Sequence, residues 1–210
     1  VADVRTKEML QLPVPEIAGG KAQTIAVDAS SDLKAFVQEL VLRAEKIRDG
    51  QVKPQEDNML AVTNDGRKAA LDLRLIDPMA SDDPGSKVNA CCAKVFDIWQ
   101  QTAAFRGTQL VFCDLSTPSQ DGRFSVYNDL RAKWVAMGIP SQEIAFIHDH
   151  DTDAAKAKLF KAVREGKVRI LLGSTSKMGM GTNVQNKLYA LHHLDAPWRP
   201  SDVEQRDGRI

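Results

Sequence analysis

Between Ser30 and Gly50 the apolar residues fall at Leu33, Phe36, Val37, Leu40, Val41, Ala44 and Ile47. That i, i+3, i+4, i+7 spacing predicts an amphipathic helix, with Ser30 or Ser31 at its start and Gly50 at its end. QVKPQEDN is a polar connector. Thr63-Asn64-Asp65-Gly66 is expected to turn into a second, shorter helix, RKAALDLRLI, which Pro78 closes. SDDPGS at 81–86 is the strongest linker signal in the chain. Beyond it Val88, Cys91, Cys92, Val95, Phe96 and Trp99 form one helical stripe. Four short apolar runs then appear: LVFC (110–113), IAFI (144–147), VRILL (168–172) and YALHHL (189–194). Continuous runs of this kind suggest buried strands of a parallel sheet. Helical patterns at 124–137 and 152–165 fill the first two gaps, the second with Thr152 as N-cap and Gly166 just past its end. The alternation predicts an α/β fold, a parallel sheet covered by helices through right-handed crossovers. Residues 1–29, which include QLPVPEIAGGK, are expected to be irregular.

Charge changes this picture in one place. The 210 residues carry 28 Lys+Arg and 28 Asp+Glu, which excludes a globally basic coat for nucleic acid but not a local patch. AKAKLFKAVREGKVRI (155–170) holds six Lys/Arg and one Glu, either a solvated helix face or one that tracks a phosphate backbone. No run approaches the roughly 18 apolar residues of a membrane span, and no secretory signal opens the chain. Cys91, Cys92 and Cys113 form no even framework, which points to a reducing, cytoplasmic compartment. The chain starts at Val1 without Met and stops inside a charged stretch, so it is expected to be a piece of a longer polypeptide.

In open α/β sheets ligands gather at the carboxyl ends of the strands. Three polar segments fall there: DLSTPSQDGR, GSTSKMGMGTN and DAPWRPSDVEQRDGR. In the second, Ser174, Thr175 and Ser176 offer hydroxyls and N–H groups suited to phosphate oxygens, and Gly179 and Gly181 allow close backbone approach. An ordinary loop using its glycines to turn is the other reading. In the third, Gln205, Arg206 and Arg209 lie close together, either a phosphate-binding group or a solvated charged end. His148-Asp149-His150-Asp151 reads as a polar loop or as part of a metal site that lacks further ligands at a familiar spacing. At least one ring of His192-His193 is expected to point inward. Cys91 and Cys92 read as small buried hydrophobes.

Together these segments resemble the second RecA-like lobe of superfamily-two helicases and translocases, most closely the Swi/Snf-type ATPases. TQLVFCD (108–114) is similar to the motif IV strand. LLGSTSKMGMGTNVQ (171–185) is similar to motif V at Ser174, Thr175, Gly179, Gly181 and Asn183, with Lys177 and Met178 in place of Ala-Gly. LDAPWRPSDVEQRDGRI (194–210) is similar to motif VI at Asp195, Trp198, Pro200, Gln205, Gly208 and Arg209. DNMLAVTNDGRKAALD and the two motifs also resemble the helicase region of large bacterial, phage and plasmid proteins that join such a helicase to an adenine-specific DNA methylase. The resemblance implies a RecA-like lobe over 86–210, truncated within motif VI, preceded by a helical arm and interlobe linker over 1–85.

It also implies roles. ATP, with Mg²⁺ held by an absent first lobe, would lie between that lobe and this one. Gly179, Gly181, Asn183 and Arg206 would approach the nucleotide, Gln205 the γ-phosphate, and Arg209 would neutralise transition-state charge. Ser174 and Thr175 would touch the DNA backbone, a sequence-independent contact. The expected partners are DNA, the N-terminal lobe of the same polypeptide and a methylase domain, with no membrane and no metal of this lobe's own. The chain has no Walker A sequence and no Asp-Glu dipeptide, so these 210 residues are expected to be inactive alone. A non-catalytic nucleic-acid-binding or interaction module on a degenerate RecA-like fold is the alternative. A Rossmann-type methyltransferase would need a glycine-rich loop after the first strand, and LVFCDLSTP has none.

Overall fold

The computed structural model describes Met9 and residues 16–118, 122–178 and 183–208. Helix α1 (Ser31–Arg48) starts where Ser30 Oγ accepts the Leu33 N–H at 3.2 Å. It stops at Gly50, whose φ of 69° is a left-handed conformation that glycine adopts without strain. Helix α2 (Met59–Leu71) corrects the expected turn at 63–66: the helix runs straight through Thr63-Asn64-Asp65-Gly66 and ends where RKAALDLRLI was expected to be mid-helix. Two features explain this. Asn58 caps the helix start, its side chain accepting from Ala61 N–H at 3.0 Å. A Cβ at position 66 would lie 3.3 Å from Leu40 Cδ1, so the glycine lets α1 and α2 approach closely. Arg43 then fastens the pair, reaching Asp57 at 2.8 Å and Asp65 at 2.9 Å.

The arm joins the rest through buried contacts. Leu71 belongs to the same apolar cluster as Val88, Val95 and Trp134, with Leu75 packed against it. Arg74 lies 2.7 Å from Asp72, 3.0 Å from Asp82 and 3.2 Å from Asp129. Those bonds pin residues 81–86, and Ser86 caps helix α3 (Lys87–Gln101).

The sheet has four parallel strands in the order β2-β3-β1-β4: β1 (Thr108–Phe112), β2 (Ile144–Phe146), β3 (Ile170–Gly173) and β4 (Leu188–His193). Helices α4 (Val126–Ala136) and α5 (Asp153–Arg164) make the crossovers. Strand alternation divides the core. Val111, Ile170 and Leu172 face α3 and α4, with Trp134 and Val95. Leu110, Phe112 and Leu171 face α5, with Leu159, Phe160 and Val163. The central strand β1 is buried at every residue, which is why its run reads as continuously apolar. Burial pushes the Cys92 thiol up to about 11, so it packs as a hydrophobe rather than serving as a nucleophile. The arrangement is α/β and RecA-like, a parallel sheet between helices, preceded by the α1–α2 arm.

His192 turns inward as expected. The Gln109 amide N–H₂ donates to the Val95 carbonyl at 2.9 Å, which leaves Gln109 Oε1 facing His192 Nε2 at 3.0 Å. The imidazole therefore donates from Nε2, and burial pushes its pKa down to about 4. The unfolded chain, near 6.5, binds this proton first, so His192 makes stability fall as pH drops from 6.5 toward 4. His192→Gln is predicted to flatten the pH dependence of the urea midpoint in that window. A slope equal to that of the wild type would refute the assignment.

Candidate nucleotide and nucleic-acid interface

Asp114 follows β1 and Asp195 follows the neighbouring β4, so two carboxylates stand side by side at the carboxyl end of the sheet. Backbone donors meet them first. Asp195 accepts from the N–H groups of Asp114 at 2.6 Å and Leu115 at 2.8 Å. Asp114 accepts from the Thr175 N–H at 2.6 Å and from its hydroxyl at 2.8 Å. Asp195 is buried and Asp114 half-buried, and two anions this close still need a cation.

Arg206 supplies it from helix α7 (Pro200–Asp207). Its Nη2 lies 2.7 Å from Asp114 and 3.1 Å from Asp195. Its Nε–H donates to Thr175 Oγ1 at 2.8 Å, and Nη1 donates to the Asp195 carbonyl at 2.8 Å. The guanidinium lies over the Phe112 ring, 5.2 Å from its centroid. The side chain is 0% exposed. Only a planar fork with donors on all three nitrogens can serve these acceptors together. One residue thus joins the ends of β1 and β4, the start of the short helix α6 (Thr175–Met178) after β3, and α7.

The start of α6 is set by close packing as well. A Cβ on Gly173 would fall 2.6 Å from Met178 Sδ and 2.8 Å from Ile147 Cγ2, so the strand end must be glycine for α6 to lie against it. The Ser174 and Ser176 hydroxyls share a hydrogen bond of 3.0 Å, and Ser176 is exposed. Lys177 projects to Asp151 at 3.0 Å.

Several sequence expectations can now be placed. Gln205 is exposed on α7 and Asn183 is exposed below α6, its carbonyl held by Arg164 at 2.6 Å. Gly179, Gly181 and Arg209 lie outside the described residues. Arg206, expected beside the nucleotide, is instead turned into the protein, because two carboxylates there demand its charge. Thr175, expected on the DNA backbone, spends its hydroxyl on Asp114 and Arg206 and is buried. Ser174 is buried beside it. The role of Asp114 was not drawn from the sequence, although an aspartate directly after two neighbouring strands, FCD and LD, is a visible signal. The His148–Asp151 loop is a polar loop: Asp149 reaches Arg131 at 3.4 Å and Asp151 reaches Lys177. Among the described residues no group of three or more His, Cys, Asp or Glu is placed to hold a metal. No helix among them is long and apolar enough to cross a membrane.

A cleft of about 620 Å³ opens beside Asp114, between α2 and the loop after β4. Arg67 of α2 stacks on Trp198 at 4.3 Å and donates to the Ala196 carbonyl at 2.6 Å. The arm therefore touches the segment that leads into α7.

Residues 97–210 match the helicase conserved C-terminal domain. The chain belongs to this family. The match spans the whole strand region and both polar segments that Arg206 joins, so the chain contains the C-terminal lobe of a helicase. A search of the curated proteins returns no match.

Arg206→Met in this helicase lobe is predicted to cost about 3–5 kcal/mol in urea unfolding, since it strands the buried Asp195 and the half-buried Asp114 without their cation. Arg206→Lys should recover only part of that, because an ammonium lacks the fork. A loss below about 1 kcal/mol for Arg206→Met would contradict the network. Gly173→Ala is predicted to lower stability by about 1–3 kcal/mol through overpacking against Met178, which thermal unfolding reads directly.

Proposed function

We propose that the chain is the second lobe of a Swi/Snf-type, ATP-dependent DNA helicase or translocase. The observation that carries this reading is the Arg206 network, which brings the segments resembling motifs V and VI to one end of one sheet. Gln205, Asn183, Gly179, Gly181 and Arg209 face the nucleotide in this reading. Their amides, backbone groups and guanidinium suit ribose and phosphate oxygens, and the set has no carboxylate, so Mg²⁺ would be held by the first lobe. Bound ATP supplies the phosphoryl group; this lobe orients it and neutralises its charge. Ser174, through Ser176 and the exposed turn of α6, meets the DNA backbone, while Thr175 and Arg206 hold that turn in place. The partners are DNA and the N-terminal lobe of the same polypeptide, with an adenine methylase domain as a further neighbour. The free cysteines Cys91, Cys92 and Cys113 fit a reducing cytoplasm.

The test uses a longer polypeptide that carries both lobes. Its ATP turnover should rise with DNA and fall by about 10³-fold or more in Arg209→Ala. The 210-residue chain alone should show no turnover. DNA binding without any ATPase in the longer polypeptide would replace this reading with a non-catalytic binding module.

A further inference from the structure

The outer face of α5 and its flanks carry a cluster of cations, with Lys158, Lys161 and Lys167 exposed and Lys156, Arg164, Lys177 and Lys187 half-buried. Residues 151–187 hold eight Lys/Arg and three Asp/Glu, although the whole chain is balanced at 28 of each. Arg169 is removed from the surface by burial. Lys156, Lys158, Lys161 and Arg164 lie on α5 and Lys167 just past it, with Lys177 bonded to Asp151 before its start and Lys187 to the Glu165 carbonyl after its end. Of the three acids, Asp151 is held below the ordinary carboxylate value by its bond to Lys177, with Lys156 adding to it. Glu165 is held below it by Lys167, with Lys161 and Arg164 adding. Both ends of the band therefore sit in a positive field.

The band has no evident structural purpose. Cations in the last turn of α5 complement the helix dipole, but Lys156 and Lys158 lie in its first half, where the dipole favours acids. Among the described residues no carboxylate is in ion-pair contact with Lys156 or Lys158. Among the described residues no large apolar side chain of α5 itself is exposed; the exposed pair Phe105 and Tyr189 belongs to the loop after α3 and to β4. A protein partner would want a buried apolar anchor, and an interfacial membrane helix would want an apolar face. A band of cations without either fits a ligand read through charge alone.

We infer that the outer face of α5, from Lys177 to Lys187, is a second nucleic-acid track that binds the phosphate backbone of a single strand. The helix has 12 residues, about 18 Å, the length of several successive phosphates. Arg164 anchors the track to the segment resembling motif V by holding the Asn183 carbonyl at 2.6 Å. The inference rests on the reading above only for the class of ligand, and ATP plays no part in it.

The test is fluorescence anisotropy of a labelled, mixed-sequence single strand with the 210-residue chain over a range of salt. Lys156→Glu, Lys158→Glu and Lys161→Glu are combined in one variant. A control reverses Lys34, Lys46 and Arg48, exposed cations of the arm, in the same way. Thermal unfolding confirms that both variants fold. The α5 variant should bind at least about tenfold more weakly, and its log-affinity against log-salt slope should fall by about 2. The control should bind within about twofold of the wild type. An unchanged affinity and slope for the α5 variant would overturn the inference, as would an equal loss in the control. Failure of the wild-type chain to bind the strand, or equal binding of polyglutamate or of anionic vesicles, would overturn it too. None of these outcomes bears on the two-lobe ATPase assay, which judges the motor reading separately.

Discussion

Two carboxylates at the ends of adjacent strands, Asp195 buried and Asp114 half-buried, cannot stand side by side without a cation, and this constraint organises the carboxyl end of the sheet. Asp114 and Asp195 already accept from three backbone N–H groups, which fixes their positions. Arg206 is then held in place by them rather than free to find a ligand. Because it lies on α7, that whole helix is tied to β1 and β4. Because its Nε–H donates to the Thr175 hydroxyl, the turn after β3 is tied to the same point. Removing water from such a network strengthens each bond and makes each missing partner costly.

The consequence for function is a division of labour. Arg206 and Thr175 lie beneath the surface and hold its geometry, while Gln205, Ser176 and Lys177 stand above them. The neighbouring cleft, with Arg67 stacked on Trp198, brings the arm to the same end of the lobe. A single guanidinium joins the ends of β1 and β4, the turn after β3 and α7 into one body.

Much of the fold was legible because β1, β2 and β3 are buried at every residue and so read as unbroken apolar runs, while β4 is only partly buried. Thr152, Ser30 and Gly166 marked helix ends correctly, since capping is a local matter. The turn expected at Thr63–Gly66 failed because tertiary contacts overrode local preference: Arg43 holds Asp65, and Leu40 occupies the space that Gly66 leaves. The site was legible as segments but not as roles. Position in a motif could not say that Arg206 points inward, because that depends on Asp114, 92 residues away in sequence. One inward ring of His192-His193 was readable, but neither which of the two nor its partner Gln109 was.

The most direct test of the central claim is a double-mutant cycle between Thr175→Val and Arg206→Met, read by urea unfolding of the 210-residue chain. If one network joins the two segments, the losses should be non-additive, with a coupling energy of about 1 kcal/mol or more. Additivity within about 0.5 kcal/mol would mean that the turn after β3 and α7 are held independently. In that case Arg206 would not be what unites the site.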